Sequence, residues 1–328
     1  MGMWEEWGAD APPGGLAVGG YLAAPKPVPT GIPELDHLLG GGLMPGLSTL
    51  TGESSSGKSA IAANIAANMA ARGVAVLYAS LEMGWSTVHW RMASAWSVTS
   101  AEAPTVSWSD VVSGKALKAN HPDIRPEDDM GRLSVTGQRD DPVLQLAVAW
   151  TNGPGRNVVV RDSVHDADTF CQIIASGADE AKASGRQLAA FLDYAQLMEP
   201  GGGKQAEKEY ERMNEVTRRI QRQAIASSVP TLALSSMRNL TDKEREDMAA
   251  QCPPMTLMRG TGYLGYSSEQ VIAVACTGAG PQRGTQRRRL WCVKNKSGRS
   301  GTHADVLLWG GYCYVAPDPD KPGFAGGE

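Results

Sequence analysis

Short apolar segments alternate with longer segments of helical periodicity through the middle of the chain. The apolar segments predict β-strands at 47–51, 74–79, 157–161, 187–193 and 230–235. Between them, apolar residues spaced three and four apart predict helices at 58–71, 86–98, 141–150, 166–184 and 206–227. This alternation is typical of an α/β fold, in which a mainly parallel sheet is covered by helices on both faces.

The pattern changes after residue 270. Short apolar segments separated by glycine-rich turns predict consecutive strands at 271–276, 289–294, 304–309 and 312–315. Strands joined in this way form an antiparallel extension on one edge of the sheet. The run Arg287-Arg288-Arg289 falls between two of them, and we expect it in a hairpin turn. There it would contact DNA or a neighbouring subunit, or simply be exposed.

The beginning of the chain differs from the rest in composition. Residues 1–28 are rich in glycine, proline and alanine, which predicts a flexible arm, and residues 29–328 then form one domain. Trp4 and Trp7 could anchor this arm on another protein, such as a loader or a replication or repair protein. A partly ordered tail is the alternative.

Charge and cysteine content narrow the class of protein. The formal net charge of −4 excludes a protein that coats nucleic acid by bulk charge, so any DNA contact must be local. The five cysteines are scattered and lack CxxC spacing, which argues against a disulfide framework and a zinc site. The sequence shows neither a signal peptide nor a long apolar segment. We therefore expect a cytoplasmic protein without a membrane span.

Residues 52–59 carry the most specific chemistry in the chain. They read GESSSGKS, a complete phosphate-binding loop, and lie between a predicted strand and a predicted helix. In that setting backbone N–H groups surround a polyphosphate, Lys58 reaches the outer phosphates and the Ser59 hydroxyl binds Mg²⁺. We therefore expect ATP and Mg²⁺ to bind to the loop residues Gly52, Glu53, Ser54, Ser55, Ser56, Gly57, Lys58 and Ser59.

Two acidic residues follow predicted strands and would reach the same edge of the sheet. Asp193 ends the apolar strand 187–193, where it would hold Mg²⁺ beside Ser59. Glu82 follows the strand 74–79. Glu82 could activate the water that attacks the γ-phosphate, or it could only favour the start of the next helix through the helix dipole. The pattern alone leaves these two readings open.

Several ordered segments resemble one family. They are TGIPELDHLLGGGLMPG (30–46), SLEMGWSTVHWRM (80–92), DYAQLM (193–198), VPTLALSS (229–236), MRGTG (258–262) and VKNKSGRSG (293–301). In this order they resemble the C-terminal motor domain of DnaB-type replicative helicases, whose RecA-like fold RadA- and KaiC-type ATPases share. The resemblance spans residues 30 to about 310.

The resemblance implies roles for particular residues. Glu82 becomes the expected catalytic base, while Lys294 and Lys296 match the segment that reaches the ATP of the next subunit. A site completed in this way implies a homo-oligomer, either a ring, expected to be a hexamer, or a helical filament. Single-stranded DNA would contact the loops after Asp193 and Ser236. The residues expected there are Lys204, Arg238, Asn239 and Arg259.

The chain departs from the family pattern at three places. Lys296 stands where the helicases have an arginine, and lysine lacks the bidentate fork that stabilises phosphate charge. Ser236 stands where they have a glutamine that senses the γ-phosphate. The arm of residues 1–28 stands where they have a domain that helps form rings and hold primase.

Three functions fit these observations. The first is a DNA-dependent ATPase that translocates on single-stranded DNA in replication, recombination or repair. The second is an ATP-driven assembly or regulatory switch without unwinding activity, which Ser236 and the KaiC-like segment 30–46 favour. The third, a metabolic kinase, fits poorly, since the segment 293–301 would then have no use.

Overall fold

A computed structural model of the chain describes residues 25–113, 141–202, 208–258 and 262–321. The strands are β1 (Gly46–Gly52), β2 (Ala75–Ser80), β3 (Val158–Arg161), β4 (Leu188–Asp193), β5 (Pro230–Ser236), β6 (Gln270–Ala279), β7 (Thr285–Asn295), β8 (Thr302–Trp309) and β9 (Tyr314–Pro317). The α-helices are α1 (Pro33–Leu39), α2 (Lys58–Ala71), α3 (Trp85–Ser97), α4 (Trp108–Ser113), α5 (Pro142–Asn152), α6 (Ala167–Ala183), α7 (Glu209–Ala226), α8 (Asp242–Ala250) and α9 (Gly262–Ser267).

The strands form one sheet in the order β3-β2-β4-β5-β1-β6-β7-β8-β9. Neighbouring strands are parallel from β3 through β6 and antiparallel from β6 through β9. This confirms the predicted α/β fold and its antiparallel extension. Because β1 lies between β5 and β6, the loop that follows Gly52 emerges from the interior of the sheet rather than from its edge.

The two faces of the sheet carry separate apolar cores. Side chains alternate along β4, so that Phe191 packs on the face covered by α2, α3 and α5, while Leu192 packs on the face covered by α6 and α7. Both of these β4 side chains are fully buried. A strand that is apolar on both sides has this environment in a parallel sheet, which explains why β4 reads as an uninterrupted apolar segment.

The amphipathic helix α7 behaves as its sequence predicts. Its apolar residues at helical spacing face the core and are buried, namely Met213, Val216, Ile220 and Ala224. Three of its four arginines, Arg212, Arg218 and Arg219, form ion pairs. Arg218 contacts Glu215 at 3.0 Å, and Arg212 contacts Glu199 at 2.7 Å. These arginines are therefore ion-paired and do not form a surplus basic surface.

The prediction for the arginine run 287–289 is wrong. These residues lie inside β7, and the turn that joins β6 to β7 comes before Thr285. The charges that indicated a turn are accommodated within the fold. Arg287 donates to Asp318 at 2.8 Å, and Arg289 donates to both carboxylate oxygens of Asp305 at 2.7 Å. Pairing with acidic side chains allows arginines to occupy a central position in this strand.

Some expected features fall outside the described residues. They include residues 1–24 of the predicted arm and the expected DNA contacts Lys204 and Arg259. At the start of the described region, Val28 is buried and its backbone pairs with Leu43. Among the described residues, no helix is both long and apolar enough to cross a bilayer.

The turn before β1 yields a testable prediction about stability. Gly42 has a φ of +132°, and a Cβ atom there would lie 2.2 Å from the carbonyl oxygen of Val28. Gly40 has a φ of +78°, but a Cβ atom would have open space. We expect Gly42→Ala to lower the free energy of unfolding by about 3 kcal/mol or more, and Gly40→Ala by about 1 kcal/mol. Urea denaturation of the two variants measures the difference, and equal losses would contradict the assigned steric clash.

Candidate nucleotide-binding site

The functional residues predicted from four segments meet at the carboxyl edge of the sheet. The order β2-β4-β5-β1 places Glu82, Asp193, Ser236 and the loop 52–59 in neighbouring positions. They line a cavity of about 520 Å³. Its lining residues are Ser54, Ser55, Gly57, Lys58, Ser59, Ala60, Glu82, Met83, Arg91, Asp193, Tyr194 and Ser236. A cavity at this edge is the usual ligand site of an open α/β sheet.

The loop 52–59 wraps around the start of α2. Gly57 is the N-cap of this helix with a φ of +98°, a conformation in which a side chain would be strained. The Lys58 ammonium lies inside the loop and donates to the carbonyl oxygens of Gly52 at 2.9 Å and Glu53 at 2.7 Å. Lys58, Ser59 and Ala60 at the start of α2 line the cavity, and the first N–H groups of a helix favour an anion.

The environment of Lys58 combines burial with negative charge. Burial lowers the pKa of Lys58 from its ordinary value, and the charges of Asp193 and Glu82 act in the opposite direction. Desolvation strengthens the attraction between this ammonium and any anion that enters the cavity. A triphosphate would add further negative charge and stabilise the charged form of Lys58.

Asp193 lies at the end of β4 and is 1% exposed. It accepts hydrogen bonds from the Tyr78 hydroxyl at 2.9 Å and the Ser59 hydroxyl at 3.3 Å. Burial raises the pKa of Asp193, while these two hydrogen bonds act to lower it. The peptide bond from Asp193 to Tyr194 is cis.

The donors beside Asp193 fit Mg²⁺. The Ser59 hydroxyl lies 3.3 Å from a carboxylate oxygen of Asp193, and Mg²⁺ in nucleotide sites takes few protein ligands besides phosphate oxygens and water. Among the described residues no cluster of three or more His, Cys, Asp or Glu residues could hold a metal alone. This donor set therefore suits a metal that arrives with a nucleotide.

A raised pKa at Asp193 predicts a stability effect. A carboxyl group whose pKa is higher in the folded state binds more protons there, so its ionisation destabilises the fold as pH rises past its unfolded-state value near 4. We expect Asp193→Asn to raise the melting temperature of the ligand-free protein at pH 7 and to have less effect at pH 5. The amide can still accept from Tyr78. Thermal denaturation at both pH values checks this, and a lower melting temperature at pH 7 would contradict it.

Glu82 lies beyond the end of β2, in the turn that leads to α3. The Leu81 N–H donates to the Asp193 carbonyl at 2.7 Å, and the Ser80 hydroxyl donates to the Met83 carbonyl at 2.6 Å, so both sides of Glu82 are fixed. Glu82 is exposed and lines the cavity. It lies three residues before Trp85, the first residue of α3. Glu82 is therefore at the cavity and outside α3.

Lys294 and Lys296 do not reach the loop 52–59 of their own chain. Lys294 pairs with Val271 of β6, which pairs with Thr49 in the middle of β1. The Lys296 N–H donates to the carbonyl of Glu269, just before the first residue of β6, so this segment runs away from the loop. The Lys294 ammonium donates to the Gly265 carbonyl at 3.2 Å, and Lys296 forms an ion pair with Glu269 at 2.6 Å. Burial and repulsion by Lys296 lower the pKa of Lys294.

The segment after β5 continues the cavity edge toward the surface. Ser236 is the last residue of β5 and lines the cavity. Arg238 and Asn239 follow and are exposed, but the Arg238 guanidinium also donates to Glu244 at 3.1 Å. Part of the charge of Arg238 is therefore neutralised within the chain.

Two residues at the cavity were not predicted from the sequence as site residues. Tyr78 supplies a hydroxyl to Asp193, and Arg91 lines the cavity with its Cζ 5.5 Å from the Trp108 ring centroid. Tyr78 reads as an ordinary strand residue, so its sequence carries no functional signal. Arg91 falls within the segment 80–92 that resembles the helicase motif, and this resemblance could have identified Arg91 as a site residue.

Comparison with known proteins supports the predicted resemblance. Residues 27–119 match the family model described as the DnaB-like helicase C terminal domain. This part of the chain includes the loop 52–59 and Glu82. A search of curated proteins finds no match. The match shows that this part of the chain, less than a third of its length, is similar to the DnaB-like helicase family.

Solved structures share the fold at low sequence identity. The ATPase domain of G40P is 18% identical with a TM-score of 0.65, over 89% of this chain and 91% of that one. A DnaB-like replicative helicase, studied with its interactions with primase, is 17% identical with a TM-score of 0.65, over 89% of this chain and 63% of that one. A KaiC-like protein from Pyrococcus horikoshii OT3 is 16% identical with a TM-score of 0.53, over 89% of this chain and 98% of that one. The fold is therefore that of the RecA-like ATPases.

Proposed function

We propose that this protein is a DNA-dependent ATPase of the DnaB-helicase type, which works as a homo-oligomer and translocates on single-stranded DNA. One observation carries the proposal. The loop 52–59, Asp193 and Glu82 line one cavity, whereas Lys294 and Lys296, which the resemblance assigns to the same reaction, are not among its lining residues and contact Gly265 and Glu269. If these lysines take part in the reaction, a second subunit must supply them.

Four side chains and the loop backbone have separate roles in the proposed hydrolysis of ATP, and the neighbouring subunit supplies two more side chains. Lys58 binds the β- and γ-phosphates, and the loop N–H groups hold the remaining charge. Ser59 and Asp193 would hold Mg²⁺, which would supply positive charge to offset the negative charge of the phosphates. Glu82 orients the attacking water and accepts its proton. Lys294 and Lys296 of a neighbouring subunit stabilise charge that develops on the γ-phosphate.

Mixing two inactive variants tests whether the site is shared. Glu82→Gln removes the base from one subunit's cavity, and the double change Lys294→Ala with Lys296→Ala removes the cations that serve its neighbour. An equal mixture should recover up to about a quarter of the wild-type rate, since one in four random pairings joins the two intact halves. If the mixture stays as inactive as its components although the subunits exchange, the shared site is excluded.

The proposed DNA contacts follow β4 and β5 in the sequence. Arg238 and Asn239 are exposed beyond the cavity edge, and Lys204 and Arg259 remain candidates from the resemblance. A ring or filament sums a few cations from each subunit along one strand, so an acidic chain can still bind DNA. Such binding should weaken steeply with salt.

A second function is favoured by one residue. Ser236 lies at the cavity edge, where the helicases have a longer glutamine that senses the γ-phosphate. A weaker link between ATP and the DNA loops fits an ATP-driven assembly switch. Unwinding of a forked DNA duplex separates the two functions, because the switch has no strand-separation activity and the motor does.

A further inference from the structure

The middle residue of the arginine run lies next to the phosphate-binding loop. Arg287 and Arg289 pair with acidic side chains, whereas Arg288 is 4% exposed. The Arg288 Nε–H donates to the carbonyl oxygen of Ser56 at 2.7 Å. Its Nη1 donates to the Arg287 carbonyl at 3.0 Å, and its Nη2 donates to the Gln286 amide oxygen. All three acceptors are neutral.

A buried guanidinium with neutral acceptors is costly in a folded protein. Its desolvation is offset by hydrogen bonds, but none of these three partners supplies a negative charge. Burial accordingly lowers the pKa of Arg288 from its ordinary value. An anion that binds nearby would supply the missing compensation, and the loop beside Arg288 is built for phosphate.

The neighbouring strand also packs against the same loop. A Cβ atom on Gly57 would lie 2.4 Å from Leu308 Cδ2 in β8 and 4.0 Å from the Arg288 Nε. The antiparallel extension therefore supports the loop at two successive residues, Ser56 through a hydrogen bond and Gly57 through close apolar contact. Fixing the Ser56 carbonyl also fixes the peptide plane it shares with the Gly57 N–H.

We propose that Arg288 is a positioning residue of the phosphate site, which holds the Ser56–Gly57 peptide in its binding orientation and adds positive potential behind the loop. It acts through the loop and does not touch the reacting atoms. This inference rests on the proposed binding of ATP by residues 52–59. It gives the antiparallel extension a role in nucleotide affinity within its own subunit.

Ligand binding by matched variants of β7 tests the assignment. Arg288→Met removes the charge and the donors at similar volume, Arg288→Lys keeps the charge but loses the fixed Nε–H, and Arg287→Met is the control on the same strand. We expect Arg288→Met to raise the dissociation constant for ADP about tenfold, as loss of a charged hydrogen bond predicts. Arg288→Lys should be intermediate, and Arg287→Met should stay within about twofold of the wild type.

Steady-state kinetics and hydrogen exchange separate positioning from a general loss of structure. Arg288→Met should raise KM for ATP about tenfold with kcat nearly unchanged, because the Ser56–Gly57 peptide that Arg288 positions holds phosphate equally in the ground and transition states. Amides of residues 52–59 should exchange faster in both Arg288 variants, and those of β4 should not. These readouts distinguish a local role from global destabilisation.

Three outcomes would overturn the inference. The first is a folded Arg288→Met protein that binds ADP as the wild type does. If Arg288→Met does not fold, Arg288→Lys tests the inference instead. An Arg288→Lys protein whose ADP affinity and amide exchange in residues 52–59 equal those of the wild type would reject the role. A wild-type protein that binds no ADP would instead reject the proposed function, and the inference with it.

Discussion

Lys58→Ala should abolish measurable ATP hydrolysis, with a fall in kcat of at least about 10²–10³-fold. The ammonium is buried inside the loop and donates to the carbonyl oxygens of Gly52 and Glu53. The variant therefore lacks the positive charge that the loop itself supplies to the phosphates. Alanine keeps the helix propensity of α2 while removing the charge. Steady-state phosphate release by the variant and the wild type measures the effect.

Arg72→Ala is the matched control for Lys58→Ala. Arg72 is the exposed residue that follows the last residue of α2, at the end away from Lys58. Its replacement removes a cation without changing the cavity. Its rate should equal that of the wild type. A Lys58→Ala protein with a normal rate would show that the loop 52–59 is not the hydrolytic site.

Glu82→Gln should separate hydrolysis from binding. We expect kcat to fall by about 10²–10⁴-fold, the usual contribution of general base catalysis, while affinity for ADP changes little. Glutamine keeps the size of the side chain and its turn, which the hydrogen bonds of Leu81 and Ser80 hold independently. Single-turnover hydrolysis and ADP titration give the two quantities separately.

The same variant decides between the two readings of Glu82. If Glu82 only favoured the start of α3, Glu82→Gln would lower the melting temperature and leave kcat unchanged. Glu102→Gln, an exposed acid in the loop after the same helix, is the control and should change neither. A normal kcat in Glu82→Gln would show that another residue acts as the catalytic base.

The central fold follows from local patterns in the sequence. Strands such as β4 are buried on both faces and read as apolar segments, and α7 presents a clear apolar stripe. The helices α1, α4, α8 and α9 were not predicted, because each is short. In α8, for example, Met248 is the one buried residue. Short helices of this kind are stabilised by tertiary contacts, such as the Trp291 indole N–H that donates to the Met248 carbonyl at 2.7 Å.

The residues of the candidate site that belong to a local motif were predictable from the sequence. The residues that reach the site through contacts between distant segments were not. The loop 52–59 and Asp193 each follow a strand, so the sheet edge brings them together without further information. The Tyr78 hydroxyl and the Arg288 guanidinium reach the site only through pairing of distant strands. For Arg288 the sequence was misleading, since three adjacent arginines are more typical of an exposed turn than of a buried strand.

The most direct test of this account measures ATP hydrolysis at low salt over a range of protein concentrations, with and without single-stranded DNA. We predict that DNA stimulates hydrolysis and that the rate per subunit rises with protein concentration, because neighbouring subunits complete each site. A rate that rises with concentration but ignores DNA would favour the assembly switch. Hydrolysis that is independent of both DNA and protein concentration would contradict the account.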